Sequence, residues 1–130
     1  MNIYGIGTDI VNINRLNKAI KKYGIKFKKR IFSQKEIIYC EKKTNSIRSY
    51  AKRFAAKEAF SKALGTGFNK DINLNCVEVV NNKSGKPLIK LSKKVSNYLK
   101  RKINNKKYYI YLSLSDDIPW AQATVIISYK

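Results

Sequence analysis

Residues 47–65, IRSYAKRFAAKEAFSKALG, decide the fold. At about 100° per residue, Ile47, Ala51, Phe54 and Ala55 fall on one stripe of a helix, and Gly65 supplies its stop. Glu58 follows Ile47 by eleven residues, about three turns, so it lands within that apolar stripe. A carboxylate aimed at a core is costly without a compensating cation. Lys62, four residues further on, offers one answer, a half-buried Glu58–Lys62 pair. The other is a metal ligand placed where the helix meets a strand.

The strand that would meet it is the run GIGTDIV (5–11), inside a predicted strand over 3–11. Ile3, Gly5, Gly7, Asp9 and Val11 share one face of it. Gly5 and Gly7 carry no side chain and let another element approach the backbone closely. Asp9, set among Ile6, Ile10 and Val11, needs either nearby backbone N–H groups or a cation. Facing each other, Asp9 and Glu58 would form a hard oxygen site of the kind that suits Mg²⁺. Lys52, Arg53, Lys57 and Lys62 lie on the same helix and read either as an edge that attracts phosphate or as a solvated face.

The rest of the chain is built outward from this pair. A helix over 14–23 is ended by Gly24, and a second starts at Ser33 with Glu36 placed as in a capping box. Residues 69–75 form a polar connector. Strands over 76–80 and 88–91 make a hairpin around Asn81, Asn82, Ser84 and Gly85. Ser92 caps a short helix through 101. Strands over 108–114 and 121–129 are linked by 115–120 around Pro119. The order β-α-α-α-β-β-α-β-β predicts one α+β domain over 1–130, with a mainly antiparallel sheet packed with one long helix and shorter helices.

Composition narrows the chemistry. With 130 residues, 44% of them hydrophobic, the chain can bury a core without covalent staples. It has no histidine, which excludes histidine triads and histidine metal ligands. Cys40 and Cys76 are too few for a disulfide scaffold or a four-ligand zinc site, and a packing role is expected of both. No apolar run approaches the roughly 18 residues of a membrane span, and residues 1–20 lack the apolar core of a leader, so a cytoplasmic location is expected. The net charge of +20 points to an anionic partner. The abundance of Lys, Asn, Ile and Tyr, all residues of A/T-rich codons, explains part of that charge without any partner. Tyr108, Tyr109 and Tyr111 beside Lys106 and Lys107 superficially suit base stacking. Acids at positions 9 and 58 add nothing to such a platform, so neither nucleic acid nor membrane is expected as a partner.

Five runs together resemble the holo-[acyl-carrier-protein] synthases, a family of 4′-phosphopantetheinyl transferases: GIGTDIV (5–11), FSQKEIIYC (32–40), RFAAKEAFSKALGTG (53–67), VEVVNNKSGKPLIKL (77–91) and SLSDDIPWAQATVII (113–127). The resemblance spans nearly the whole chain in order. It implies the fold of that family and Mg²⁺-dependent transfer of 4′-phosphopantetheine from coenzyme A to a serine of apo acyl carrier protein. Adenosine 3′,5′-bisphosphate would be released, in support of fatty acid biosynthesis. It implies a homotrimer with active sites between neighbouring copies. Mapped onto this chain, it makes Asp9 and Glu58 the metal ligands and Lys62 the basic group at the coenzyme A phosphates. Gly85, Lys86 and Pro87 fall beside the adenine nucleotide. Arg15 meets the acidic carrier protein, and the neighbouring Lys18, Lys22, Lys26 and Lys28 would help to steer it. Two positions depart from the family pattern: Asp116 replaces a histidine, and Asn12 replaces a glutamate. Without histidine, the proton acceptor would be a carboxylate, Glu58 or Glu36, or a metal-bound water.

Overall fold

The computed structural model describes residues 1–69 and 72–130; Lys70 and Asp71, inside the predicted connector, lie outside the described residues. The elements are β1 (Asn2–Asn12), α1 (Ile13–Ile31), α2 (Gln34–Glu41), α3 (Ser46–Leu64), a 3₁₀ turn (Leu74–Cys76), β2 (Val77–Asn81), β3 (Pro87–Leu91), α4 (Lys93–Lys102), β4 (Tyr108–Asp117) and β5 (Trp120–Tyr129). This is the predicted order. β1, β5 and β4 form one antiparallel sheet in that spatial order, and β2 and β3 form a separate hairpin. Among the described residues, no helix is long and apolar enough to cross a membrane.

The long helix α3 lies directly on β1, and two glycines make that approach possible. A Cβ built on Gly5 would sit 1.9 Å from the carbonyl oxygen of Ala63, and one on Gly7 would sit 1.9 Å from that of Ala59. No side chain fits in either gap. The helix reciprocates with small residues: Ala51, Ala55, Ala56, Ala59 and Ala63 are all buried. β5 runs beneath with Ala121, Ala123, Val125 and Ile127 buried on alternate positions, the period of a strand with one face in the core.

Local signals read from the sequence hold. Ser33 and Glu36 form the capping box, with Ser33 N donating to Glu36 Oε1 at 2.9 Å and Glu36 N donating to Ser33 Oγ at 3.2 Å. Gly65 closes α3 at φ 88°. Three readings need correction. Ile3 is 65% exposed instead of facing the helix. A register shift between Ile3 and Gly5 adds a residue to β1, and Tyr4 turns inward to donate its hydroxyl to Leu64 O at 3.3 Å. The helix read over 14–23 does break at Gly24, but a second helical stretch, absent from the sequence reading, follows it. The chain kinks there (φ 70°, ψ −150°) and resumes as helix to Ile31, because Ile31 and the following Phe32 are buried and anchor the far half. The predicted 115–120 link shrinks to a turn through Ile118 and Pro119, since β4 keeps pairing with β5 to Asp117 opposite Trp120.

Gly7→Ala should lower the free energy of unfolding by about 3 kcal/mol or more, because the new methyl collides with helix backbone that cannot yield. Urea unfolding checks this, and a parent-like midpoint would contradict the close-packing account.

Candidate active site

The contact between α3 and β1 sets the two acids side by side. Asp9 lies on the helix-facing side of β1, one alternation beyond Gly7, and Glu58 is the residue before Ala59, whose carbonyl touches that glycine. Both carboxylates line one cavity of about 340 Å³, walled by Val11, Leu16, Phe27 and Phe54 and edged by Arg15. Burial raises the pKa of Glu58, the like charge of Asp9 raises it further, and Lys62 opposes both.

Of the two readings of Glu58, the ion pair with its helix neighbour Lys62 does not form. The Lys62 ammonium crosses to β1, donating to Asp9 Oδ1 at 3.1 Å and to Thr8 O at 2.9 Å. The side chain is 55% exposed, so it can leave this position at little cost. Glu58 stays raised in pKa even with Lys62 nearby, so a further cation between the two acids would relieve their repulsion. The donor set is oxygen only, with no thiolate or imidazole in the cavity wall, and it fits a hard dication that keeps much of its water. Asn12, at the position where the family pattern has a third acid, serves instead as the N-cap of α1 and accepts from Arg15 N at 3.0 Å.

The other predicted site residues are spread more widely. Arg15 belongs to the cavity, whereas Lys22 lies further along α1, with its ammonium 5.3 Å from the centre of the Tyr23 ring. Lys28 is tied to Glu41 at 3.1 Å and is not free to steer a partner. Gly85, Lys86 and Pro87 sit at the β2–β3 turn and do not line the cavity that holds Asp9 and Glu58. Of the four basic residues read on α3 as a phosphate-attracting edge or a solvated face, Arg53 and Lys57 are neither. Lys57 is fully buried against Glu36. Arg53 is buried too, its guanidinium 3.9 Å from the centre of the Tyr39 ring and donating to Asn81 Oδ1 at 2.6 Å. Lys52 reaches Asp116. Glu36 is likewise excluded as a proton acceptor at the cavity, since its carboxylate is buried in the Lys57 pair.

Asp116 proves to be neutralised. Burial pushes its carboxyl pKa up, but the hydrogen bond from Arg48 Nε and the charge of Lys52, 3.4 Å away, outweigh burial and hold it below the ordinary range. Two cations against one anion leave the cluster with one net positive charge. Neither partner was visible in the sequence, because Arg48 is 68 residues distant and nothing local marks the pair. Glu36 carried a fainter signal: it stands four residues before Cys40, and both are buried on one face of α2. Two tyrosines of the tyrosine-rich strand are engaged within the chain, Tyr108 bonded to Ser96 at 2.9 Å and Tyr109 with Lys107 5.3 Å from its ring centre, whereas Tyr111 is exposed.

Residues 5–121 match the model of the 4′-phosphopantetheinyl transferase superfamily. Among curated proteins, the chain is 42% identical over 130 residues to a holo-[acyl-carrier-protein] synthase of Pelagibacter ubique, covering 100% of both. It is 47% identical over 128 residues to that of Ehrlichia chaffeensis, covering 96% of each. Among solved structures, holo-[acyl-carrier-protein] synthase from Neisseria meningitidis superposes with a TM-score of 0.86 at 34% identity, over 97% of this chain and 98% of that one. The Helicobacter pylori holo-[acyl-carrier-protein] synthase in complex with coenzyme A gives 0.80 at 37% identity, over 95% and 99%.

The raised pKa of Glu58 has a consequence for stability. The folded chain holds this proton more tightly than the unfolded chain, so stability falls as pH rises from the ordinary carboxylate range through the elevated folded value. Glu58→Gln removes that cost. Thermal unfolding should show a higher Tm than the parent at pH 7, with the gain vanishing in acid below the ordinary carboxylate range. A gain that persists undiminished in acid, or a lower Tm at pH 7, would contradict the assignment.

Proposed function

This chain belongs to the 4′-phosphopantetheinyl transferase superfamily and is an enzyme of that family, and we propose that it transfers 4′-phosphopantetheine from coenzyme A to a serine of apo acyl carrier protein. We further propose that the reaction depends on Mg²⁺, releases adenosine 3′,5′-bisphosphate, serves fatty acid biosynthesis and takes place in the cytoplasm. The observation that carries this reading is the convergence of Asp9 and Glu58 on one cavity at the α3–β1 contact. Relatives with the synthase name over the full chain, and a similar structure holding coenzyme A, support it.

The serine oxygen attacks the β-phosphorus of the coenzyme A pyrophosphate and a new P–O bond forms. The bond from that phosphorus to the bridging oxygen breaks, and adenosine 3′,5′-bisphosphate leaves with the oxygen. Asp9 and Glu58 would hold Mg²⁺, which supplies positive charge to the pyrophosphate oxygens. The serine proton would pass to a water or a carboxylate at the cavity, where Glu58 is placed to assist. Lys62, exposed and held by single contacts to Asp9 and Thr8, can turn its ammonium to the leaving phosphate. The chain's part is positioning and electrostatics, as in other phosphoryl transfers.

Gly85, Lys86 and Pro87 are proposed to contact the adenine nucleotide. We also propose a homotrimer with active sites between neighbouring copies. Supporting it, the sheet face opposite α3 lacks a helical cover among the described residues and carries a cross-strand row of Ile6, Ile126 and Tyr111, with Ile6 62% exposed. On the outer side, Arg15 and Lys22 of α1 are proposed to receive the acidic carrier protein.

Incubation with coenzyme A, Mg²⁺ and apo carrier protein should add the mass of phosphopantetheine to the carrier. Asp9→Ala and Glu58→Ala should each slow that transfer by about 10²-fold or more while keeping the parent circular dichroism spectrum. Parent-like rates in folded variants would overturn the reading. For Arg15→Glu with Lys22→Glu, kcat/KM for the carrier should fall and lose much of its ionic-strength dependence, and stopped-flow measurement in graded salt checks this. An unchanged salt slope would remove α1 from the docking surface.

A further inference from the structure

The open edge of β2 is closed by two side chains in place of a strand. β2 pairs with β3 along one edge, in a two-stranded sheet. Val77 O and Val79 N–H, two residues apart and therefore facing the same way, point to the other edge. There Lys57 Nζ donates to Val77 O, and Glu36 Oε2 accepts from Val79 N at 3.0 Å. The two side chains thus present one donor and one acceptor to the strand, as a neighbouring backbone would.

Every other bond of the pair strengthens the joint. Lys57 Nζ also donates to Glu36 Oε1 at 2.7 Å and to Leu74 O at 3.0 Å, which uses all three of its N–H bonds. Glu36 Oε1 accepts in addition from Ser33 N at 2.9 Å. Both side chains are 0% exposed. One buried cluster therefore joins α2, α3, the 3₁₀ turn and β2. A buried ion pair contributes little net stability compared with apolar groups of the same volume. What this one determines is relative position. Lys57 precedes Glu58 on α3, so fixing Lys57 to β2 fixes the rotation of the helix at Glu58. The same strand leads into the turn that carries Gly85, Lys86 and Pro87.

We propose that Lys57 and Glu36 are positioning residues that dock the β2–β3 hairpin onto α3 and hold its turn at the place where coenzyme A is bound. The proposal rests on the reading of that turn as the nucleotide contact, and its test separates the two. In the unaltered protein, the Val79 amide should exchange with deuterium as slowly as the buried amides of α3, because its acceptor is a buried carboxylate. Exchange at the rate of an open strand edge overturns the docking. The neutral, near-isosteric Glu36→Gln/Lys57→Met variant should stay folded and bind the carrier with a parent-like KM, while its KM for coenzyme A rises about tenfold or more. A parent-like KM for coenzyme A in that variant overturns the positioning role, and should the variant fail to fold, the Val79 exchange rate still decides. Lys86→Ala serves as the control for the turn itself. If it weakens coenzyme A binding and the double variant does not, only the positioning role falls; if it binds coenzyme A like the parent, the nucleotide role of the turn falls and takes the proposal with it.

Discussion

The backbone-to-backbone contact of α3 with β1 is the constraint on which the rest depends. Helix carbonyls at Ala59 and Ala63 occupy the space where side chains at positions 5 and 7 would be. Such contacts are individually weak, but across a run of alanines they fix the distance and rotation of helix on strand. Asp9 and Glu58 sit one step beyond the contact on either element, and so inherit its geometry. A helix held off by even a single methyl group would separate the carboxylates. The glycines are therefore as much a part of the site as the acids.

Electrostatics is arranged around that contact by pairing. The chain has 28 basic and 8 acidic side chains, so most cations have no anion to meet. The acids are used with economy: Glu36 meets Lys57, Asp116 meets Arg48 and Lys52, Glu41 meets Lys28, and Asp9 meets Lys62. Glu58 stands apart, raised in pKa by burial and by its acidic neighbour. The excess charge lies on the surface, where an acidic macromolecule would experience it, while the cavity at the α3–β1 contact brings two carboxylates together beside Lys62 and Arg15.

Much of this was legible in the sequence, and what was not has a common physical cause. Period and punctuation gave the element order: the apolar stripe and Gly65 gave α3, Ser33 with Glu36 gave the start of α2, and the glycines at 5 and 7 marked the close approach that joins Asp9 to Glu58. These signals are local, or follow from the absence of a side chain. Long-range pairing left no such mark. Lys57 and Arg53 read as phosphate-attracting cations or a solvated face because a basic residue on a helix looks the same whether it faces water or, as here, a buried carboxylate or an aromatic ring. Asp116 read only as a departure from the family pattern because Arg48 and Lys52 reach it only through the tertiary fold. The bulge at Ile3 and the continuation of α1 past Gly24 were hidden for the same reason, being decided by what Tyr4, Ile31 and Phe32 bury.

The central claim is that Asp9 and Glu58 together grip one divalent cation. Titration of the protein with Mn²⁺, followed by electron paramagnetic resonance of the free ion, tests it most directly. The account predicts one site per chain that is lost in Asp9→Asn and lost again in Glu58→Gln, each variant keeping its fold. Retention of that site in either variant would contradict it.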